Sequence, residues 1–210
     1  MRIKDTKKII LEKALELFSI RGYSGVSVYD IAEAVGIKAA SLYKHFPGKQ
    51  AIFDSLLEMA DAGYQKQVSQ FGLQGYDANL DSNFYRDISE STLLTVGTSL
   101  FVYFLHDQVN KKLRMMLTVE QYKNPAAAQL YVSQYIDQPL KYQAAILRSL
   151  IVQKTMADYD PEIMAAHFYA PIYLLLCLCD SCPDREAEAL QFIKKHIIQF
   201  SALYQKEKKE

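Results

Sequence analysis

The sequence predicts an all-α protein with an N-terminal three-helix head followed by a longer helical bundle. Apolar residues recur at helical spacing along the chain, as Ile10, Ala14 and Phe18 do near its start. Capping residues, glycines and prolines punctuate these segments, and no apolar run has the alternating partner that a strand requires. We therefore expect two domains, a head at residues 1–50 and a body at residues 51–210.

The head is predicted to consist of a first helix at residues 6–21 and a helical hairpin. Residues 27–49, SVYDIAEAVGIKAASLYKHFPGK, form two short helices joined by a tight turn at Gly36. Ser27 is a good N-cap for the first of these, because Asp30 stands three residues later and completes a capping box. This outline is that of a helix-turn-helix, whose second helix enters the DNA major groove. An ordinary helical hairpin with a solvated face fits the outline too.

The body is predicted to be helical, with one turn-rich loop. The predicted segments are a helix at 49–71, a loop at 72–84, helices at 87–106 and 110–122, a long helical segment from 125 to 156, and helices at 160–180 and 185–205. Gly97 is predicted to allow a close helix approach, and Pro139 to interrupt or kink the long segment. Asp160 and Pro161 mark a helix start, since an aspartate cap and a first-turn proline both favour one.

A pattern of residues with specific spacing extends across the predicted head. It comprises Thr6, Ile10, Ala14, Leu17, Phe18, Gly22, Tyr23, Ile31, Ala32, Gly36, Leu42, Tyr43, His45, Phe46, Lys49 and Phe53. On these residues the first quarter of the chain resembles the DNA-binding head of the tetracycline-repressor (TetR) family of bacterial transcription regulators. Lys38 departs from the small hydroxyl residue that the family usually has there, and this departure affects the cap of the second hairpin helix.

The outward residues of the second hairpin helix are the predicted DNA contacts. Those expected to meet base edges are Lys38, Ala40, Ser41 and Lys44. Tyr43 and Lys49 are expected to hold phosphates, as the matching family positions do. Ser27, with the first amides of its helix, offers a further phosphate contact. His45 is open to two interpretations, a phosphate contact or a cap at the end of its own helix.

Charge is distributed unevenly along a chain whose formal net charge is zero. Residues 1–50 contain nine Lys or Arg and five Asp or Glu, which leaves the head with an excess of four positive charges. A basic head attracts phosphates, while an acidic body stays away from the DNA.

Apolar residues of the last helix are separated by gaps that alternate between three and four, which is typical of a helix–helix seam. The resemblance implies that the last two helices of each of two subunits form a four-helix bundle, and hence a homodimer. The predicted dimer interface comprises Phe168, Ile172, Leu175, Leu190, Ile193, Ile197, Phe200 and Tyr204. The alternative is that the same stripe packs on the chain's own core.

The body is rich in aromatic and sulfur-containing side chains, and the resemblance implies a small-molecule pocket there. The predicted lining comprises Phe101, Phe104, Met116, Tyr122, Tyr142, Gln143, His167 and Tyr173. Core packing is the alternative for each of these residues. An apolar or aromatic effector is expected to favour a body arrangement that moves the two heads out of register with successive major grooves, about 34–36 Å apart.

Other classes of function find little support. Cys177, Cys179 and Cys182 lie in one stretch without a second cluster or a nearby histidine, so packing cysteines are favoured over a redox or ligand-contact role, and no metal or cofactor is expected. No Gly-rich phosphate loop follows a strand, so no catalytic residue is expected. The richest apolar run, residues 170–179, is short and contains Pro171, so no membrane span is expected. The N-terminus has no cleavable apolar segment, so we expect a cytoplasmic protein.

The sequence thus predicts a dimeric, ligand-responsive transcription regulator, most simply a repressor that leaves double-stranded operator DNA when a small apolar or aromatic molecule binds. The alternatives are a ligand-independent dimeric DNA-binding or adaptor protein and, less favoured, an all-helical enzyme. A small molecule that raises the melting temperature would favour the ligand-responsive class.

Overall fold

A computed structural model describes residues 3–205, with side chains from residue 6 onward. The helices, in chain order, are α1 at Ile3–Arg21, α2 at Val28–Val35, α3 at Ala39–Leu42, α4 at Lys49–Ser69, α5 at Ala78–Arg86, α6 at Glu90–His106, α7 at Gln108–Glu120, α8 at Pro125–Val132, α9 at Gln138–Val152, α10 at Pro161–Ser181 and α11 at Glu186–Tyr204. Within this part of the chain, extended pairing is limited to one bridge between Met156 and Gln205. The predicted all-α class is confirmed.

The chain divides into two compact units. The first comprises the residues up to Gly63 together with Asp107–Tyr131, and the second comprises Tyr64–His106 together with the residues from Val132 onward. The first unit therefore contains α7, which the sequence assigned to the body. A functional boundary between residues 50 and 51 stays a prediction, because packing alone does not decide which residues carry the function.

α1 is the central helix of the first unit, because it packs against both α2 and α7. Ile10, Ala14 and Phe18 are fully buried, as their spacing predicted. Leu11 and Leu15, on an adjacent face of the helix, are buried as well. A helix with two buried faces loses apolar contact if it turns about its axis, so α1 is a firm support for the hairpin that follows.

Three aromatic rings join the end of α1 to the start of α4. The ring centroid of Tyr23 lies 5.4 Å from that of Phe18 and 5.2 Å from that of Phe53. Phe18 and Phe53 meet edge to face at 6.4 Å. Aromatic pairs in this distance range contribute beyond their buried area, so the three rings fix the turn after α1 against α4.

The second unit has a core between α6, α10 and α11, which includes Phe101, Leu176 and Ile193. A Cβ atom at Gly97 would lie 2.5 Å from Cδ1 of Ile197. Glycine therefore lets α6 and α11 approach closely, as the sequence predicted.

The region predicted as a loop at residues 72–84 contains α5, so that prediction is wrong for its second half. Asp77 caps α5 by accepting hydrogen bonds from two amides of its first turn at 3.0 and 3.1 Å. Asp81 is buried, and it accepts two N–H groups of the preceding turn at 2.7 and 2.8 Å and the hydroxyl of Tyr142 at 2.5 Å. This long-range contact stabilises a helix that its polar composition does not predict.

Pro139 interrupts the long helical segment, as predicted. One π-helical turn at Ser133–Asp137 separates α8 from α9. Proline has no N–H to donate to the carbonyl of Tyr135, four residues earlier. The hydroxyl of Tyr169 in α10 donates to this carbonyl at 2.9 Å and so compensates for the missing donor.

α10 begins at its predicted cap, where Asp160 accepts the N–H groups of Glu162 and Ile163 at 2.9 and 3.2 Å. This helix passes a membrane-span test based on length and composition alone, which the run at residues 170–179 was too short to suggest. The apolar run considered in the sequence was only its second half. In the second unit α10 packs against α6, α9 and α11, and core helices meet the same compositional test.

Candidate nucleic-acid interface

α2 is fixed at both of its ends. The N–H of Asp30 donates to Oγ of Ser27 at 3.1 Å, and the N–H of Ser27 donates to Oδ2 of Asp30 at 2.7 Å, which completes the predicted capping box. The Ser27 hydroxyl also donates to this carboxylate. Its hydrogen bond, followed by that of the Ser27 amide, lowers the pKa of the Asp30 carboxyl below its ordinary value. Gly36 ends the helix with a φ of 76°, in the left-handed region that favours glycine.

α3 is a single helical turn that the chain extends through further turns to Phe46. Lys38 occupies its N-cap position without a capping hydrogen bond from its side chain, in line with its departure from the family pattern. Leu42 and Phe46 are buried and anchor the segment to the first unit. The opposite side of α3 is therefore directed outward.

The structure places most predicted DNA contacts on one short segment, residues 38–45. Its exposed members are Lys38, Ala40, Tyr43 and Lys44, and its half-buried members are Ser41 and His45. Ser27, at the start of α2, is exposed as well.

Two cations of this segment are not neutralised by neighbouring acids. Among the residues whose side chains the structure describes, neither Lys38 nor Lys44 forms an ion pair. Other basic residues of the first unit do, since Lys13 pairs with Glu16 at 2.9 Å. Positive charge that no acid neutralises is thus concentrated at α3, where a phosphate backbone would be attracted.

Lys49 has a different environment from the one predicted. Its Nζ donates to the carbonyl of Tyr23 at 2.8 Å and to that of Val26 at 2.7 Å, and it lies 4.3 Å from the centre of the Tyr23 ring. Burial lowers the pKa of the Lys49 ammonium, while the charges of Glu120 and Asp30 oppose this shift. The side chain holds the turn between α1 and α2, and a phosphate contact by Lys49 stays a prediction.

Glu120, at the end of α7, is a residue that the sequence analysis missed. Its side chain is buried, with 2% of the residue exposed, and Oε1 accepts the N–H of Ser24 at 3.1 Å as well as the Ser24 hydroxyl. A signal was present, because Glu120 continues the helical spacing of the buried residues Leu113, Met116 and Leu117.

The predicted pocket residues do not form one cluster within either unit. Met116 and Tyr122 belong to the first unit, where Met116 is buried and Tyr122 is exposed. The other predicted residues belong to the second unit: Phe101, Phe104, Tyr142, Gln143, His167 and Tyr173.

Within the second unit, Phe104 packs against the core cluster that contains Phe101, whereas His167 and Tyr142 have other partners. Phe101 is part of the core, and His167 is an exposed residue 2.6 Å from the Tyr204 hydroxyl. Tyr142 donates to Asp81, and burial, followed by this hydrogen bond, raises the pKa of the Tyr142 hydroxyl above its ordinary value. The ligand-binding role of the set stays a prediction.

The predicted dimer stripe lies mainly in the core of the second unit. Ile193 and Ile197 are fully buried, and Leu175 and Phe200 nearly so. The partly buried members that pack against them are Phe168, Ile172, Leu190 and Tyr204. This position matches the alternative of internal packing. The apolar side chains that α10 and α11 leave exposed include Leu174, Phe192 and Leu203.

Among residues 6–205, no group of three or more His, Cys, Asp and Glu side chains is arranged to hold a metal ion. Cys179 is fully buried, and Cys177 and Cys182 are half-buried. The burial of Cys179 agrees with the packing role expected for these thiols.

The geometry of the first unit defines a helix-turn-helix domain, the class of domain in which a short second helix is presented to the major groove. Residues 10–56 match the family described as bacterial regulatory proteins, tetR family. The matched residues include α2 and α3, so the likeness to this family covers the whole helix-turn-helix.

One sequence relative is the biofilm operon icaADBC HTH-type negative transcriptional regulator IcaR of Staphylococcus aureus strain Newman, 48% identical over 48 residues. The match covers 23% of this chain and 26% of that relative, so it spans about a quarter of each protein.

Solved structures share the fold along almost the whole chain. A putative TetR-family transcriptional regulator from Mesorhizobium loti has a TM-score of 0.68 at 18% identity and covers 98% of this chain and 100% of its own. The SmeT–triclosan complex has a TM-score of 0.64 at 16% identity and covers 97% and 93%. SmeT is the repressor of the Stenotrophomonas maltophilia multidrug efflux pump SmeDEF. At these identities the likeness concerns the fold alone.

Proposed function

We propose that this protein is a cytoplasmic, dimeric transcription repressor that binds double-stranded operator DNA and leaves it when a small apolar or aromatic molecule binds. The observation that carries the DNA-binding part is the outward side of α3, where Lys38 and Lys44 lie without acidic partners on a firmly packed helix-turn-helix. The match of residues 10–56 to the tetR family supports it.

The contacts divide into two kinds. Lys38, Ala40, Ser41 and Lys44 face base edges. Tyr43 contacts phosphate, and Ser27 adds a phosphate contact at the start of α2. Lys49 acts through the turn that it holds between α1 and α2. His45 is half-buried and contacts phosphate beside Lys44.

A dimer is needed because one short helix covers too little DNA for a firm specific complex. α10 and α11 provide the surface, since Leu174 is 67% exposed and Phe192 is 52% exposed. Large exposed apolar side chains on two helices that pack against each other are candidates for a subunit contact. The core residues of the same helices support this surface from behind.

Two observations support repression and release by an effector: the activities named for relatives, and the composition of the second unit. IcaR is a negative regulator, and SmeT is a repressor with a solved triclosan complex. The second unit is rich in aromatic side chains such as Tyr64, Phe104 and Tyr173, which suit an aromatic effector.

The first experiment measures binding to the duplex immediately upstream of the protein's own gene, with a shuffled duplex of equal composition as control, across a salt series. Preference for the upstream duplex, with affinity falling steeply as salt rises, is expected. If the affinity for both duplexes is equal, binding is measured next on duplexes selected from a random pool. The absence of any preferred duplex there would refute the proposal.

The roles of two contact residues are separable. Lys44→Ala is expected to relax sequence preference, at a cost of about 1–3 kcal/mol on the preferred duplex. Tyr43→Ala is expected to weaken binding to preferred and shuffled duplexes alike. Equal losses on both duplexes for the two variants would contradict this division.

The effector is tested with triclosan as an aromatic probe. A rise in the unfolding midpoint with increasing triclosan concentration is expected, together with reduced affinity for the preferred duplex, because DNA and effector weaken each other by the same factor. Unchanged DNA affinity with saturating triclosan would contradict release by this class of molecule.

A further inference from the structure

A buried carboxylate, that of Glu120, lies beside the helix-turn-helix. Glu120 ends α7, and its Oε1 accepts both the N–H and the hydroxyl of Ser24. Its Oε2 lies against Gly22, where a Cβ atom would be only 2.3 Å away. Gly22 has a φ of 74° and so requires glycine for its conformation as well. The end of α7 and the turn after α1 therefore fit each other closely.

The turn is held from a second side by α4. The ammonium of Lys49 donates to the carbonyls of Tyr23 and Val26, which lie on either side of Ser24 in the chain. The charge of Glu120 acts favourably on this ammonium. A buried carboxylate is costly unless donors surround it, and here the turn itself supplies them.

This turn leads directly into α2, whose N-cap is Ser27. Its position therefore determines where α2 begins and, through the tight turn at Gly36, where α3 is directed. We propose that Glu120 is a positioning residue for sequence recognition, which holds the turn after α1 so that α3 meets the bases. This inference rests on the proposed DNA-binding function.

The experiment compares the full-length variants Glu120→Leu, Glu120→Gln and Ser24→Ala with the wild-type protein. Glu58→Gln, an exposed glutamate of α4 in the same unit, is the matched control for loss of charge. The probe is the best duplex selected from a random pool, with a shuffled duplex beside it. Binding is measured well below the unfolding midpoint of each variant.

Glu120→Leu removes the acceptors while filling the space, and it is expected to lower affinity for the selected duplex about tenfold. Affinity for the shuffled duplex is expected to stay within about twofold, with an unchanged salt slope, because the phosphate contacts remain. Glu120→Gln keeps one acceptor oxygen, and its affinity for the selected duplex is expected to fall at most about threefold. Ser24→Ala removes one donor, and its affinity for the selected duplex is expected to lie between those of wild type and Glu120→Leu.

Amide hydrogen exchange tests the contact without DNA. Exchange at Ser24 is expected to rise about tenfold in Glu120→Leu and to stay unchanged in Glu58→Gln. Wild-type preference retained by Glu120→Leu would overturn the inference and leave the proposed function intact. Equal losses on both duplexes would reduce Glu120 to a stabilising residue and overturn it too. A wild-type protein without any preferred duplex would refute the proposed function, and the inference would fail with it.

Discussion

At the scale of single residues, Gly22 connects two requirements. It ends α1 with its N–H donating to the Phe18 carbonyl at 2.9 Å, and it does so in a left-handed conformation. It also leaves room for the buried carboxylate of Glu120. A side chain here would be strained by its backbone and would displace the end of the Glu120 side chain.

Gly22→Ala is therefore expected to lower the free energy of unfolding by about 2–4 kcal/mol, from backbone strain and from overlap with Glu120. Urea unfolding followed by circular dichroism measures this change. Gly36→Ala is the matched control, because Gly36 has a similar φ of 76° and a Cβ there would meet no atom within 4 Å. Similar losses in the two variants would contradict the role given to the Glu120 contact.

Lys49 offers a second prediction at this scale. Lys49→Met keeps an apolar stem over Tyr23 but loses two hydrogen bonds to carbonyls, so we expect the free energy of unfolding to fall by about 1–2 kcal/mol. The salt slope of DNA binding is expected to stay unchanged, since a lost phosphate contact would lower it by about 1. Lys66→Met, an exposed lysine of α4, is the control. A lower slope in Lys49→Met alone would support the phosphate contact that the sequence predicts for Lys49.

The residues that sequence reasoning located are those whose partners are close in the chain. Ser27 and Asp30 form the predicted capping box because three residues separate them. Glu120 was missed because its partner Ser24 is 96 positions away, a distance that no local pattern spans. Lys49 was identified as functional, but the carbonyls that it holds, 23 and 26 positions earlier, were not visible.

At the scale of elements, the same distinction separates α10 from α5. The start of α10 was predicted from Asp160 and Pro161, which act within one turn. α5 was predicted as loop because its glycine- and aspartate-rich approach indicates turns. Its buried Asp81 finds its donor in Tyr142, 61 positions later in the chain. The interruption at Pro139 was predicted, but the π-helical turn and its partner in α10 were not.

Tyr169→Phe tests how this interruption is stabilised. The variant removes the hydroxyl that donates to the Tyr135 carbonyl, so the free energy of unfolding is expected to fall by about 1 kcal/mol. Hydrogen exchange is expected to increase in the amides around Ser133–Asp137 more than in α11. Tyr159→Phe, at an exposed tyrosine, is the control. Equal stability of Tyr169→Phe and wild type would show that water replaces this donor without cost.

At the scale of the whole molecule, the period of an apolar stripe does not determine whether the stripe packs within its own chain or against a second subunit. The seam predicted on α11 is real as a pattern, and its central residues Ile193 and Ile197 are fully buried within this chain. A dimer surface on the same helices must use other side chains. The exposure of these other side chains could be identified only once the packing of α6 against α11 was known.

The double variant Leu174→Lys with Phe192→Lys is expected to convert a dimer into a monomer, because two buried charges would face their own copies across a two-fold axis. Val152→Lys is the matched control, since Val152 is 76% exposed but lies on α9. Light scattering after gel filtration gives the mass, and circular dichroism verifies the fold. Loss of the second half-site contact is expected to weaken binding to the preferred duplex at least about a hundredfold, while a single half-site duplex is bound as before. A double variant that stays dimeric would place the subunit contact on another surface, and a wild-type monomer that binds its operator tightly would remove the need for one.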